Sequence, residues 1–284
     1  MRSNIQRVAV VGAGTMGQGI AQAVAMAGYL VLLYDIQQSL LDQALVNIKA
    51  NLDKGIELGK VTAELKESTL QRINTIQDID QLMTDLVIEA VVEDLGIKQD
   101  LFLKLERINQ SYTIFATNTS SIPVTRIGAK LRFPERLAGL HFFNPAHIMK
   151  LVEIVKGEDT DTSVIEKLTL FAESINKLSV QAKDSPGFIV NRVARHYYLE
   201  SLRILEDQVA DQQDVDDLLT AYGFRMGPFK LMDLIGVDVN LAVTQSIFES
   251  FQCDPKYKPS WIQQRLVDQG HLGRKSGKGF YSYE

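Results

Sequence analysis

Between residues 8 and 35 the chain runs through a pattern that few folds can accommodate. Val8-Ala9-Val10-Val11 is short, wholly apolar and rich in β-branched residues, as a strand buried on both faces of a parallel sheet must be. Gly12-Ala13-Gly14-Thr15-Met16-Gly17 follows without a spacer. Ile20, Ala21, Val24 and Ala25 then recur at helical spacing, and Gly28 stands where a helix commonly ends. Leu30 to Tyr34 reads as a second strand, closed by Asp35, 18 residues beyond Gly17. Strand, glycine turn, helix, strand and acid in this order make the βαβ unit that binds dinucleotides. A lone Gly-x-Gly-x-x-Gly motif is weak; its flanking elements give this one weight.

Each glycine has its own task in such a unit. Gly12 makes the tight turn, Gly14 lets backbone approach a pyrophosphate, and Gly17 allows the helix to pack close. The helix N-terminus then offers unpaired N–H groups and the positive end of its dipole. Asp35 is placed to accept hydrogen bonds from both adenosine ribose hydroxyls, and its charge would repel a 2′-phosphate. NAD is therefore expected over NADP.

Further short apolar runs read as strands: Leu86 to Ile88, Ile114 to Ala116, Leu137 to Leu140 and Leu151 to Val155. Helical patterns cover Ser39 to Glu67 and Ile97 to Ile108. This alternation predicts an α/β doubly wound sheet of the Rossmann type over residues 1–186. The breaker Asp184-Ser185-Pro186-Gly187 ends it. Beyond that point Val190, Ala194, Tyr197, Tyr198, Leu202, Leu205 and Val209 keep helical spacing, which predicts an all-α C-terminal domain over residues 187–284. The stretch Arg274 to Tyr283, rich in Gly, Lys and aromatics, reads as an ordered tail.

Composition narrows the function classes. With 30 Lys and Arg against 35 Asp and Glu, the formal net charge is −5, which argues against nucleic acid or an anionic membrane as a partner. No run approaches the ~20 apolar residues of a membrane helix, and the polar N-terminus lacks the apolar core of a signal peptide. A single cysteine, Cys253, excludes an internal disulfide and suits a reducing compartment. A cytoplasmic location is the expectation.

In an open parallel sheet, ligands lie outside the carboxyl ends of the strands. The segments there are Glu89-Ala90-Val91-Val92-Glu93, Thr117-Asn118-Thr119-Ser120-Ser121 and His141-Phe142-Phe143-Asn144-Pro145. His141 is the acid/base candidate, because imidazole titrates near neutral pH. Glu153 lies in Leu151-Val152-Glu153-Ile154-Val155, so its carboxylate is expected to be buried and to need a partner. His141 would be that partner, with Glu153 fixing the tautomer and stabilising the imidazolium. Ser120 is placed to hydrogen-bond a substrate oxygen; no Gly-x-Ser-x-Gly elbow makes it a nucleophile. No His-Glu-x-x-His or Cys-x-x-Cys spacing appears, so no metal is expected. The acids Asp211, Asp214, Asp216 and Asp217 read as a solvated helix start with Asp211 or Asp214 as N-cap. The aromatic pairs Phe142-Phe143 and Tyr197-Tyr198 read as core.

These segments, together with Asp184-Ser185-Pro186-Gly187-Phe188-Ile189-Val190-Asn191-Arg192 and Gly273-Arg274-Lys275-Ser276-Gly277-Lys278-Gly279-Phe280-Tyr281, resemble the L-3-hydroxyacyl-CoA dehydrogenase family. The likeness spans essentially the whole chain and is nearest to the short 3-hydroxybutyryl-CoA dehydrogenase branch. It implies His141 as general base paired with Glu153, and Ser120 and Asn191 on the substrate oxygen. It also implies NAD contacts from the loop Gly12, Ala13, Gly14, Thr15, Met16 and Gly17, and from Asp35, Glu93, Lys98, Ser120, Asn144 and Lys275. The family grips coenzyme A partly through a basic helical arm after the second strand, where Lys54 and Lys60 are candidates here beside Ser120. Family members typically dimerise through the helical domain, with the active site in a cleft between domains.

The implied activity is reversible, NAD-dependent oxidation of a short (3S)-3-hydroxyacyl-CoA to the 3-oxoacyl-CoA. Two other readings stand beside it: a dehydrogenase of a free hydroxy acid or sugar acid, and a non-catalytic nucleotide-binding protein on the same fold.

Overall fold

A computed structural model describes residues 5–283. The chain divides into two compact units that part between Ser185 and Pro186.

The first unit is built on one eight-stranded sheet ordered β3-β2-β1-β4-β5-β6-β7-β8. The strands are β1 (Arg7–Val11), β2 (Leu30–Tyr34), β3 (Ile73–Ile76), β4 (Leu86–Glu89), β5 (Ile114–Thr117), β6 (Leu137–Phe142), β7 (Leu151–Lys156) and β8 (Leu178–Lys183). Six helices flank it: α1 (Thr15–Met26), α2 (Gln38–Glu57), α3 (Ala63–Gln71), α4 (Leu95–Ile108), α5 (Val124–Gly128) and α6 (Thr162–Ser174). The strand order reverses between β1 and β4, so the glycine turn after β1 lies beside the segment after β4. That reversal is the point at which such sheets take a ligand.

β1 to β6 run parallel, β7 runs antiparallel to β6, and β8 is parallel to β7. The reversal at β7 follows from chain length: only residues 143–150 separate β6 from β7, and a parallel return needs about a dozen or more. β1 is fully buried over Val8 to Val11, and the apolar face of α1 (Ile20, Ala21, Val24) packs on Val8, Val10, Val31, Leu33 and Ile88.

Two strands lie outside the runs singled out in the sequence. β3 (Ile-Asn-Thr-Ile) and β8 (Leu-Ser-Val-Gln-Ala-Lys) are the two edges of the sheet. An edge strand need not be apolar on both faces, so neither carries the signature of a central one. The helical pattern over Ser39 to Glu67 is two helices. Gly59 turns left-handed at φ +66° between them, and Thr62 caps α3 by accepting from the Leu65 N–H at 3.2 Å.

The second unit comprises α7 (Val190–Glu206), α8 (Gln212–Tyr222), α9 (Pro228–Ile235), α10 (Val237–Ser250) and α11 (Trp261–Asp268). Its core gathers Tyr198, Leu199, Leu202, Val215, Phe229 and Met232. α7 stops before Val209, which is exposed: Gln208 takes a positive φ of 55° and turns the chain out of the helix. The acidic run also departs from expectation. Asp211 caps α8, accepting from the N–H groups of Gln213 and Asp214 at 2.9 Å, but Asp216 is fully buried. Its carboxylate accepts from the N–H groups of Phe229 and Lys230 at the start of α9 and from the Tyr281 hydroxyl. Asp233, also buried, accepts from the N–H groups of Phe280 and Tyr281 and from the Tyr283 hydroxyl, all at 2.9 Å. Two buried aspartates thus fasten the C-terminal tail: Asp216 on α8, which also caps α9, and Asp233 on α9. Among the described residues, no single helix is long and apolar enough to cross a membrane.

Candidate active site

The turn after β1 is dictated by its glycines. Gly12 sits at φ +103°, and a Cβ there would lie 2.5 Å from the Ala90 carbonyl oxygen. A Cβ on Gly17 would lie 1.7 Å from the Gly12 carbonyl oxygen, so any side chain would push α1 off its turn. Gly14 differs: a Cβ there meets no atom within 4 Å, which leaves open space at the N-terminus of α1. At the end of β2, Asp35 accepts from the Ala13 N–H at 2.9 Å and the Gln37 N–H at 3.0 Å. Two bonds leave a carboxylate with lone pairs to spare. An open helix N-terminus beside a carboxylate with acceptor capacity fits a dinucleotide carrying a ribose diol.

After β4 and β5 lies a buried polar network that begins on Glu89. Its carboxylate accepts from Lys98 Nζ and the Thr117 hydroxyl, both at 2.6 Å, and from the Val91 N–H at 2.8 Å. Lys98 Nζ also lies 3.2 Å from Glu93 Oε2. With its side chain 1% exposed, Lys98 is an internal ion-pair partner of two carboxylates. Glu93 Oε1 in turn accepts from the Thr119 hydroxyl at 2.6 Å, the N–H groups of Ser120 and Ser121 at 2.9 and 3.1 Å, and the Ser121 hydroxyl at 3.1 Å. Burial pushes the Glu93 carboxyl up, but the Lys98 charge and the hydrogen bonds from Thr119 and Ser120 together hold it below the usual carboxylate range. Asn118 reaches sideways, its Oδ1 accepting from the Phe142 N–H at 2.8 Å, which ties the end of β5 to the strand bearing His141.

His141 and Glu153 are directly opposed in the antiparallel register of β6 and β7. His141 Nδ1 is 2.7 Å from Glu153 Oε2, and both residues are buried, at 5% and 1% exposure. A carboxylate on Nδ1 makes that nitrogen the proton carrier and leaves Nε2 with the acceptor lone pair. Of the aromatic pairs, Phe142 and Tyr198 are core, whereas Phe143 is half-buried with its ring 4.6 Å from the His141 ring. The loop beyond is held from below by Lys177, whose buried ammonium donates to the carbonyls of Ala146 and Met149 at 2.6 and 2.7 Å.

The remaining expected residues are spread wider. Asn144 is exposed on the loop after β6. Lys54 is exposed in the last turn of α2, and Lys60 is exposed just beyond that helix. Asn191 lies in the first turn of α7 in the second unit. Lys275, in the tail of that unit, pairs with the Asp238 carboxylate at 2.7 Å; burial opposes ionisation there, yet the Lys275 contact helps hold Asp238 below its ordinary range. Glu89, Thr117 and Asn118 fall within the strand-end segments the sequence marks, but sequence reasoning gave none of the three a role of its own. Among the described residues, no group of His, Cys, Asp and Glu is arranged to hold a metal ion.

Two domain families account for the chain: 3-hydroxyacyl-CoA dehydrogenase, NAD binding domain, over residues 7–185, and 3-hydroxyacyl-CoA dehydrogenase, C-terminal domain, over residues 187–283. The chain belongs to the 3-hydroxyacyl-CoA dehydrogenase family, and NAD is the cofactor that its first domain is built to bind. Among curated relatives, 3-hydroxyadipyl-CoA dehydrogenase of Escherichia coli is 50% identical over 100% of this chain and 60% of its own length. The 3-hydroxybutyryl-CoA dehydrogenase of Mycobacterium tuberculosis is 38% identical over 100% of both chains. The crystal structure of (S)-3-hydroxybutyryl-CoA dehydrogenase from Ralstonia eutropha superposes with a TM-score of 0.94 at 36% identity, covering 99% of this chain and 100% of that one. The chain thus spans three fifths of the Escherichia coli relative and the whole of the shorter ones.

Proposed function

We propose that the protein catalyses the reversible oxidation of a (3S)-3-hydroxyacyl-CoA to the 3-oxoacyl-CoA, with 3-hydroxybutyryl-CoA as the representative short substrate. The observation that carries this is the buried His141–Glu153 pair, set across two strands beside the Ser120 loop. A protein that only bound nucleotide would have no use for an imidazole held in one tautomer by a buried carboxylate. The free hydroxy-acid reading lacks such support: relatives at 38–50% identity over the whole chain carry the names of 3-hydroxyacyl-CoA dehydrogenases.

His141 Nε2 takes the proton of the C3 hydroxyl, and Glu153 stabilises the positive ring that results. NAD, when bound, accepts the hydride that leaves C3. Ser120 and Asn191 hydrogen-bond the C3 oxygen and hold it in line with the imidazole. In the reductive direction the protonated His141 returns its proton to the carbonyl oxygen. Gly12 to Gly17 and Asp35 hold the cofactor, assisted by Glu93, Lys98, Asn144 and Lys275. Lys98 acts in this set through Glu93, given its burial between two carboxylates. Lys54 and Lys60 attract the anionic coenzyme A moiety. Dimerisation through the helical domain and a cytoplasmic location belong to the same proposal.

A kcat/KM series over 3-oxoacyl-CoA chain lengths, run with NADH and NADPH, tests the function. The expected result is a preference for short chains and NADH, with free acetoacetate turned over poorly. Activity confined to free hydroxy acids would overturn the substrate assignment, and tight NADH binding without turnover would overturn the enzymatic one. Including 3-oxoadipyl-CoA tests a second reading, a substrate with a terminal carboxylate, which the 50% identity to the Escherichia coli relative favours.

A further inference from the structure

We propose that Glu89 is a positioning residue for the reaction: from beneath the sheet's ligand edge it sets the place at which Ser120 meets the substrate oxygen. The inference rests on the role given to Ser120 above.

Glu89 is fully buried at the last position of β4. A carboxylate so placed is tolerated only when its charge and lone pairs are satisfied, and here every donor it takes belongs to an element of the site. From it, two routes reach the loop 119–121. On the first, the Thr117 hydroxyl donates to Glu89 Oε2 and accepts from the Thr119 N–H at 3.3 Å. On the second, Lys98 Nζ bridges Glu89 Oε1 to Glu93 Oε2, and Glu93 Oε1 receives the Ser120 N–H. Both routes seize the loop 119–121 by hydroxyls and backbone N–H groups, and neither uses the Ser120 hydroxyl itself.

The division of charge explains why Glu89 is needed. Lys98 is a single cation shared by two carboxylates, one fully buried and one 36% exposed at the loop. Lys98 Nζ lies nearer to Glu89, at 2.6 Å, than to Glu93, at 3.2 Å, so Glu93 keeps one oxygen for Lys98 and the other for the loop. Without the Glu89 charge, the buried ammonium must satisfy itself on Glu93 alone. Drawing that carboxylate inward removes the acceptor that gathers Thr119, Ser120 and Ser121. A displacement of this kind costs rate more than binding, because near-attack geometry is what it spoils.

A double-mutant cycle on the full chain tests this, read as kcat for acetoacetyl-CoA reduction at saturating NADH. Glu89→Gln keeps the side-chain shape while removing the charge and one acceptor. It is expected to lower kcat about 10–100-fold, the order of loss when a reacting group is misplaced by about 1 Å, with a smaller change in KM. Added to Ser120→Ala, it is expected to cost less than about threefold more, because a misplaced hydroxyl and an absent one are the same defect. Losses that multiply would overturn the proposal while leaving Ser120 its role, since a general structural defect is additive in free energy. A wild-type kcat for Ser120→Ala would instead overturn the role of Ser120 and the proposal with it. Should Glu89→Gln fail to fold, Thr117→Val with Glu93→Gln cuts both routes while Glu89 stays in place. This pair must show the same non-additive loss with Ser120→Ala, and a wild-type kcat for it would overturn the proposal.

Discussion

His141→Gln isolates the central residue of the site. The amide keeps polarity but cannot accept and return a proton, so kcat is expected to fall by at least about 10²-fold, with the NADH dissociation constant unchanged; stopped-flow turnover and fluorescence titration check the two halves. Glu153→Gln should leave the fold intact and still reduce kcat, because an amide does not stabilise the imidazolium as a carboxylate does. Its pH–rate profile should shift as well, and a profile matching the wild type would refute the pairing. Glu93 offers a third test, in stability. Its folded carboxyl lies below the ordinary value of 4.5, so the unfolded chain binds the extra proton first as pH falls. The stabilisation is therefore complete above about pH 4.5 and is lost as pH drops through the lower folded value. Glu93→Gln should flatten that part of the acid limb in denaturant titrations.

Two glycines in one turn separate folding from binding at the scale of the element. Ala at position 17 would set its Cβ 1.7 Å from the Gly12 carbonyl oxygen, and the turn and α1 must part to admit it. Gly17→Ala is expected to cost about 1–3 kcal/mol or more, as overpacking does, visible as a lowered Tm. Gly14 has an extended backbone at φ −66° and free space around its missing Cβ. Gly14→Ala should leave stability within about 0.5 kcal/mol while weakening NADH by about tenfold or more, ~1.4 kcal/mol, because the methyl occupies the approach to the helix N-terminus. Equal loss of stability and binding in both variants would refute this division. β6 and β7 make a comparable point. Their antiparallel register alone puts His141 opposite Glu153, 12 residues away in sequence.

For the molecule as a whole, a net charge of −5 must be reconciled with the two anionic ligands of the proposed function. On that function, the cofactor would be met by backbone N–H groups at the start of α1, which carry no net charge. Coenzyme A would be met by the exposed lysines Lys54, in the last turn of α2, and Lys60, just beyond it. Lys54→Glu with Lys60→Glu should raise KM for acetoacetyl-CoA, most strongly at low ionic strength, where surface charges are least screened. The Kd for NADH should not move. A KM unchanged between low and high salt would assign the coenzyme A contact to other residues.

Much of this was legible in the residues alone. The run from Val8 to Asp35, the alternation of strands and helices after it, and the helical spacing beyond the breaker at Pro186 sufficed for the fold class, because a strand buried on both faces and a glycine turn have few alternatives. His141 and Ser120 could be picked out as chemistry at strand ends, Glu153 as a charge inside an apolar strand, and the family resemblance added Asn191. The edge strands β3 and β8 were hidden, since one exposed edge removes the demand for apolar residues. The buried Asp216 was taken for a solvated acid, because sequence shows a charge but not the helix end it caps. Glu89 shows the same limit most plainly. Its identity was in view from the start, but its three donors come from residues 91, 98 and 117. Local sequence determined which strands, turns and helices form, because propensity and hydrophobic period act over a few residues. Which polar groups share a charge was decided only when the sheet order set β4 beside β1 and β5, because hydrogen bonds and ion pairs depend on distance in space.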